Sequence, residues 1–298
     1  MAKMTWRDRL IDPRSPEKRP RRAAYALPTL FTAGNVFLGF YAIIEIFQAA
    51  LQMPSAGAAT VPHFRLASLA IGAAVFLDGL DGRIARMTNT VSDFGREMDS
   101  LADVITFGIA PAVLAFVWGV QFVDAAIDRM TLEYLRRAGY FVTFLFLLCG
   151  AMRLARFNVQ KNPMPSNPGR ADRKYFVGLP IPSAAGMVAS VVYAAESEPL
   201  HSWIISAAWL CLVALLSFLM VSTWRYPSFK DLNLLQPRSP IMFVLLGSLI
   251  YLIINFSQPV LLGMSACYVG TGIVIRIGGF VRRRLRQQPP SHPEHQVG

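Results

Sequence analysis

"LDGLDGRIARMTNTVSDFGREMDSLADVITFG", residues 77–108, lies between two strongly apolar stretches yet carries five Asp, one Glu and three Arg. On helices, Asp78 and Asp81 stand three positions apart and Asp99 and Asp103 four apart, so each pair projects from a single face. Two helices facing one another across the intervening turn would bring four carboxylates together. The segment therefore predicts two neighbouring helices with an acidic cluster at the shared end.

The surroundings point to a membrane. The 298 residues are 54% hydrophobic and only 16% charged, with a mean hydropathy of +0.41. That is more apolar surface than one soluble core could hide, which predicts an all-α, polytopic transmembrane helix bundle. A spanning helix needs about 20 mostly apolar residues. Eight runs qualify, at 28–50, 64–87, 95–121, 138–158, 180–196, 201–222, 239–255 and 257–279, of which the fifth and seventh are short. These runs are too long and too uniformly apolar for barrel strands, so no strand is expected.

Connection charge supports an even count. The connections after the second, fourth and sixth runs carry Arg83, Arg86 and Arg96; then Arg153, Arg156, Lys161, Arg170, Arg173 and Lys174; then Arg225, Lys230 and Arg238. The alternate connections hold no charge, a mixture of signs, Glu196 with Glu198, and no charge. Both basic end segments, "RPRR" (19–22) and "VRRRLR" (281–286), fall on the positive side of this alternation. Eight spans with both termini cytoplasmic follow from the positive-inside rule. The net charge of +11 is explained in the same way, and no nucleic-acid partner is expected.

The N-terminal 25 residues are polar throughout, so no cleaved leader is expected and the first span should be retained. The segment 158–180, rich in Pro, Asn and Gly, reads as an ordered loop or lid, and the tail 287–298 as disordered. Cys149, Cys211 and Cys267 lie apart in apolar surroundings and read as packing residues.

Four carboxylates cannot share a membrane edge unaided, because each unpaired charge costs roughly 2.5–3.5 kcal/mol there and neighbouring carboxylates repel. One or two hard divalent cations, Mg²⁺ or Mn²⁺, would remove the difficulty. Gly82 follows Asp78 by one turn and Gly95 precedes Asp99 by one turn, so a face without side chains adjoins each acidic pair. A flat ring or a phosphate could approach there, and Arg86 stands one turn further on with a fork suited to phosphate. Together these features suggest phosphoryl-group chemistry on a nucleotide.

The spacing D-x2-D-G-x2-A-R-x8-G-x3-D-x3-D over residues 78–103 resembles the signature of the CDP-alcohol phosphatidyltransferases at every fixed position. Outlying stretches resemble the membrane-embedded phosphatidylserine synthase branch: "LPTLFTAGNVFLGF" (27–40), "CGAMRLARFNV" (149–159), "FVGLPIPSAAG" (176–186) and "STWRYPSFK" (222–230). The resemblance covers about 27–280, which is expected to be the catalytic membrane domain between a basic tail (1–26) and a basic, then disordered, tail (281–298).

The resemblance implies transfer of the phosphatidyl group of CDP-diacylglycerol to L-serine, releasing CMP. It implies two metal ions held by Asp78, Asp81, Asp99 and Asp103, with Asp103 also the general base. Gly82, Ala85, Arg86 and Gly95 would line the CDP site, joined by Thr32 and Asn35. Arg153, Arg156 and Asn158 are candidates for binding serine or the lipid phosphate. The expected partners are the two substrates and the bilayer, with a homodimer left open; the expected location is the bacterial inner membrane, with the site facing the cytoplasm. Two rivals stand beside this reading: another acceptor alcohol (glycerol 3-phosphate, inositol phosphate or choline), and a divalent-cation transporter using the aspartates as its ion site. The aspartates gather at one edge and do not continue across the membrane, which weighs against the transporter.

Overall fold

The computed structural model describes residues 22–52, 60–88, 93–124, 128–161, 175–227 and 240–286. Residues 1–21 of the basic N-terminal tail, most of the expected lid (162–174) and residues 287–298 of the C-terminal tail lie outside the described residues. The described chain is helical. In order, it forms α1 (Arg22–Leu51), α2 (Val61–Thr88), α3 (Asp93–Asp103), a wide π-helical turn (Val104–Ile109), α4 (Ala110–Phe116), a second wide turn (Val117–Gln121), α5 (Arg129–Lys161), α6 (Ile181–Ala194), α7 (Trp203–Val221), α8 (Pro240–Asn255) and α9 (Ser257–Arg286).

Periodicity explains how the first two helices meet. Ala42, Ile46 and Ala49 repeat at helical spacing on α1 and are fully buried, while Phe40, Ile44, Phe47 and Leu51 on its other face are exposed. Phe64, Ala67, Ile71 and Ala74 give α2 a matching buried face, and the two helices pack along their length. Exposed apolar side chains continue around the outside of the bundle on α5, α7 and α9, as lipid contact requires. At the end of the α1–α2 pair away from the aspartates, His63 joins Glu45 (Nδ1 to Oε2, 2.7 Å) and Gln52 (Nε2 to Nε2, 3.0 Å).

The third run is the most buried of those long enough to span. Phe107, Leu114, Trp118 and Val120 fill the centre, and Trp209 of α7 donates from Nε1 to the Ala115 carbonyl at 2.9 Å. A plain helix was expected over 95–121, but two wide turns interrupt it. Pro111 lies just after the first of them; it has no N–H to donate and its ring crowds the preceding turn, so a widened turn relieves the conflict.

Among the described residues, six helices are long and apolar enough to cross a membrane: 30–51, 61–80, 97–121, 129–159, 203–221 and 257–276. This is an integral membrane architecture. The fifth and seventh expected spans do form helices, α6 and α8, but with 14 and 16 residues they reach only about 21 and 24 Å, short of the hydrocarbon thickness. The structure also corrects the expectation of no strands. Tyr175–Val177 (β1) pairs antiparallel with Arg225–Pro227 (β2), with Phe176 opposite Tyr226. Three-residue strands outside the apolar runs are too short for periodicity to reveal. Of the three cysteines only Cys149 is buried; Cys211 and Cys267 are exposed on the bundle surface.

Candidate active site

The acidic cluster forms at one end of the bundle. Asp78 projects from α2 and Asp99 and Asp103 from successive turns of α3, and one carboxylate oxygen from each lies within 4.8 Å of the others. Asp103 is 9% exposed. Three carboxylates this close repel unless a cation sits among them. Their chemistry and spacing fit a hard divalent ion, whose bonds to oxygen are about 2.0–2.1 Å for Mg²⁺. Asp81, Gly82, Ala85 and Arg86 continue along α2, so the backbone carries them past Asp78 on the same helix; their side chains lie outside the described residues. Gly95 is one turn before Asp99 in α3.

The first helix is fastened to this cluster through the wide turn that follows Asp103. Thr106 donates from Oγ1 to the carbonyl of Asn35 at 3.0 Å. A Cβ on Gly39, one turn further along α1, would lie 2.5 Å from Thr106 Oγ1 and 2.8 Å from its Cα, so only glycine permits this approach. Thr32 is 8% exposed and Asn35 fully buried. Both ends of the Asn35 amide, Oδ1 and Nδ2, are buried with no hydrogen-bond partner among the described residues. Leaving such a group unsatisfied costs about 1–3 kcal/mol, so a polar partner is needed at this position.

The end of α5 forms the other wall. Asn158 donates from Nδ2 to Ser100 Oγ at 2.8 Å, beside Asp99. Arg153 has a buried Nε without a hydrogen-bond partner among the described residues. Arg156 is exposed, and its like charge opposes that of Arg153.

Three residues near this wall were not anticipated from sequence. Ser100 adjoins Asp99, and Ser183 lies in the "FVGLPIPSAAG" stretch; both were within reach of a closer reading. Tyr268, whose ring lies 5.8 Å from that of Tyr226, sits in an apolar run and gives no signal of its own.

The model of the CDP-alcohol phosphatidyltransferase family matches residues 25–225. The chain is 38% identical over 215 residues to the CDP-diacylglycerol–serine O-phosphatidyltransferase of Helicobacter pylori, covering 72% of this chain and 77% of that protein. It is 32% identical over 204 residues to the enzyme of the same name from Bacillus subtilis, covering 68% and 91%. To the archaetidylserine synthase of Methanothermobacter thermautotrophicus it is 33% identical over 204 residues, covering 68% and 70%.

Proposed function

The chain belongs to the CDP-alcohol phosphatidyltransferase family, and from that premise we propose that it transfers the phosphatidyl group of CDP-diacylglycerol to the hydroxyl of L-serine. The products are phosphatidylserine and CMP. The observation that carries the reading is the convergence of Asp78, Asp99 and Asp103 within 4.8 Å. Serine as acceptor is supported by the relatives named for it, which align with 68–72% of the chain.

In this reading Asp78, Asp81, Asp99 and Asp103 hold two divalent cations, Mg²⁺ or Mn²⁺, which when bound supply positive charge to the diphosphate. Gly82, Ala85, Arg86 and Gly95 receive CDP together with Thr32 and Asn35, whose buried amide needs a polar partner. Asp103 takes the proton of the serine hydroxyl as its oxygen bonds to the lipid phosphorus; the bond from that phosphorus to CMP breaks, and CMP leaves with the electron pair. Arg153, Arg156 and Asn158 face the acceptor or the lipid phosphate.

The same reading makes residues 27–280 one catalytic membrane domain flanked by basic tails. Its eight apolar runs, α3 and α4 forming one of them, cross or enter the inner membrane, with both termini and the aspartates on the cytoplasmic side. Alternating basic connections support this orientation. For α6, burial within the bundle would remove the need to match the lipid thickness, since Ile181, Ala184, Ala185 and Val188 are buried; α8 instead exposes Val244, Ile250, Tyr251 and Ile254.

The purified protein in lipid–detergent micelles, given CDP-diacylglycerol and radiolabelled serine, should yield labelled phosphatidylserine and an equal amount of CMP. Product formed only with glycerol 3-phosphate, inositol phosphate or choline would overturn the acceptor assignment. No CDP-lipid turnover with any alcohol would overturn the catalytic one.

A further inference from the structure

The segment that brings Asp103 into the cluster also grips α1. Thr106, three residues after Asp103 in the wide turn Val104–Ile109, is fully buried, and its Oγ1 donates to the Asn35 carbonyl at 3.0 Å. In a regular helix that carbonyl already closes the turn to the N–H four residues on, which in α1 belongs to Gly39. The hydroxyl is therefore a second donor, from a different helix, on an oxygen with two lone pairs. Gly39 makes room for it: a Cβ there would stand 2.5 Å from Oγ1, 2.8 Å from the Thr106 Cα and 2.9 Å from its Cβ.

The helix itself does not need this bond. Its carbonyl has a helical partner without Thr106, and Ala42, Ile46 and Ala49 already bury the later part of α1. What the bond adds is a fixed place for residue 35. Asn35 is fully buried, and neither Oδ1 nor Nδ2 has a hydrogen-bond partner among the described residues. That amide is only two torsions from the backbone held by Thr106, so a shift of the backbone moves it directly. On the other side of the bond, Asp103 shares a short stretch of chain with Thr106 and joins Asp78 and Asp99 within 4.8 Å. One hydroxyl thus links the amide on α1 to the carboxylates on α2 and α3.

We infer that Thr106 is a positioning residue for nucleotide recognition, setting the Asn35 amide against the acidic cluster so that the nucleoside and diphosphate ends of the CDP group are received at one fixed spacing. Three observations carry this: the Oγ1 bond to the Asn35 carbonyl, the close approach that Gly39 permits, and the fully buried Asn35 amide. A bond between helices adds little to the stability of a membrane bundle, because separated helices also find partners for their polar groups. Its effect should therefore appear in binding, where a wall already in place spares the ligand the cost of ordering it.

This positioning role rests on the reading that α1 lines the CDP site, and the experiment separates the two. Binding of radiolabelled CMP to the full-length protein is measured by equilibrium dialysis with Mg²⁺ present, and initial rates are measured varying CDP-diacylglycerol and serine in turn. Thr106→Val keeps the shape and removes the donor. It should weaken CMP binding and raise the KM for CDP-diacylglycerol by about fivefold or more, leaving the KM for serine within about twofold. Thr106→Ser keeps the donor and should hold both within about twofold of wild type. Unchanged CMP binding in Thr106→Val, equal losses toward both substrates, or a Thr106→Ser variant as impaired as Thr106→Val overturns the positioning role. Should Thr106→Val fail to accumulate, Thr106→Ala decides by the same criterion. Asn35→Ala tests the premise: unchanged CMP affinity there overturns the reading of α1 as a wall of the CDP site and the role of Thr106 with it, whereas a loss confined to Asn35→Ala overturns the role of Thr106 alone.

Discussion

Asn158 donates from its side-chain amide to Ser100 Oγ across 2.8 Å, so the end of α5 is tied to the helical turn that carries Asp99. One neutral hydrogen bond contributes about 1 kcal/mol. Ser100→Ala should therefore lower kcat/KM about fivefold in a CMP-release assay. Asn158→Ala should do at least as much, since it also sits at the proposed acceptor wall. If the two act through their shared bond, the double variant will be little worse than Asn158→Ala alone; fully additive losses would count against the tie.

The aspartates should behave as a unit. Asp99→Asn and Asp103→Asn preserve shape and remove charge, so each should cut CMP release by more than about a hundredfold, beyond the usual effect of a supporting residue. Both variants should still accumulate in the membrane. Chelation with EDTA should stop the wild-type reaction and Mg²⁺ or Mn²⁺ restore it. Near-normal turnover in either variant, or in excess EDTA, would refute the metal-centre reading.

Two glycines on α1 make a matched pair for a stability test. A Cβ on Gly39 meets the Thr106 backbone, whereas one on Gly34 meets nothing within 4 Å. Gly39→Ala should destabilise by about 1–3 kcal/mol through overpacking, seen as a lower melting temperature in detergent, and Gly34→Ala should be close to neutral. Equal melting temperatures would mean that α1 and the wide turn can separate at little cost.

Tyr226 predicts a response to alkali. Burial first, and the neighbouring Tyr268 hydroxyl second, push its phenol up to about 12, against an ordinary value near 10. Below the ordinary value the phenol is neutral in both folded and unfolded chains. As pH rises from about 10 to 12 the unfolded chain ionises while the folded one resists, so stability falls. Tyr226→Phe removes that loss, so its melting temperature should decline less steeply than wild type over this interval. Parallel curves would show that the hydroxyl is not held neutral by the fold.

Much of this architecture was readable from residues alone, for definite reasons. Apolar runs of spanning length mark every long helix, and the pairs Asp78/Asp81 and Asp99/Asp103 declare a shared helical end because carboxylates are costly there. Three of the four aspartates converge as expected; the side chain of Asp81 lies outside the described residues. Short elements were harder to see. The β1–β2 ladder is three residues on each side, below the length at which alternation carries information, and the wide turns depend on how Pro111 is accommodated in three dimensions. The packing of Tyr268 on Tyr226 was invisible for another reason: it comes from helix register, and a tyrosine within an apolar run carries no mark of what it will face.

The wide turn at Val104–Ile109 also sets a phase relation. A π-helical turn takes up one residue more than an ordinary one, and one residue corresponds to about 100° of rotation around a helix axis. Asp99 and Asp103 before the turn and Leu114 and Trp118 after it are thus aligned by that extra residue, the first pair toward the cluster and the second toward the core. Deleting a single amino acid inside the turn would leave every side chain chemically intact, yet turn one half of the segment away from its task.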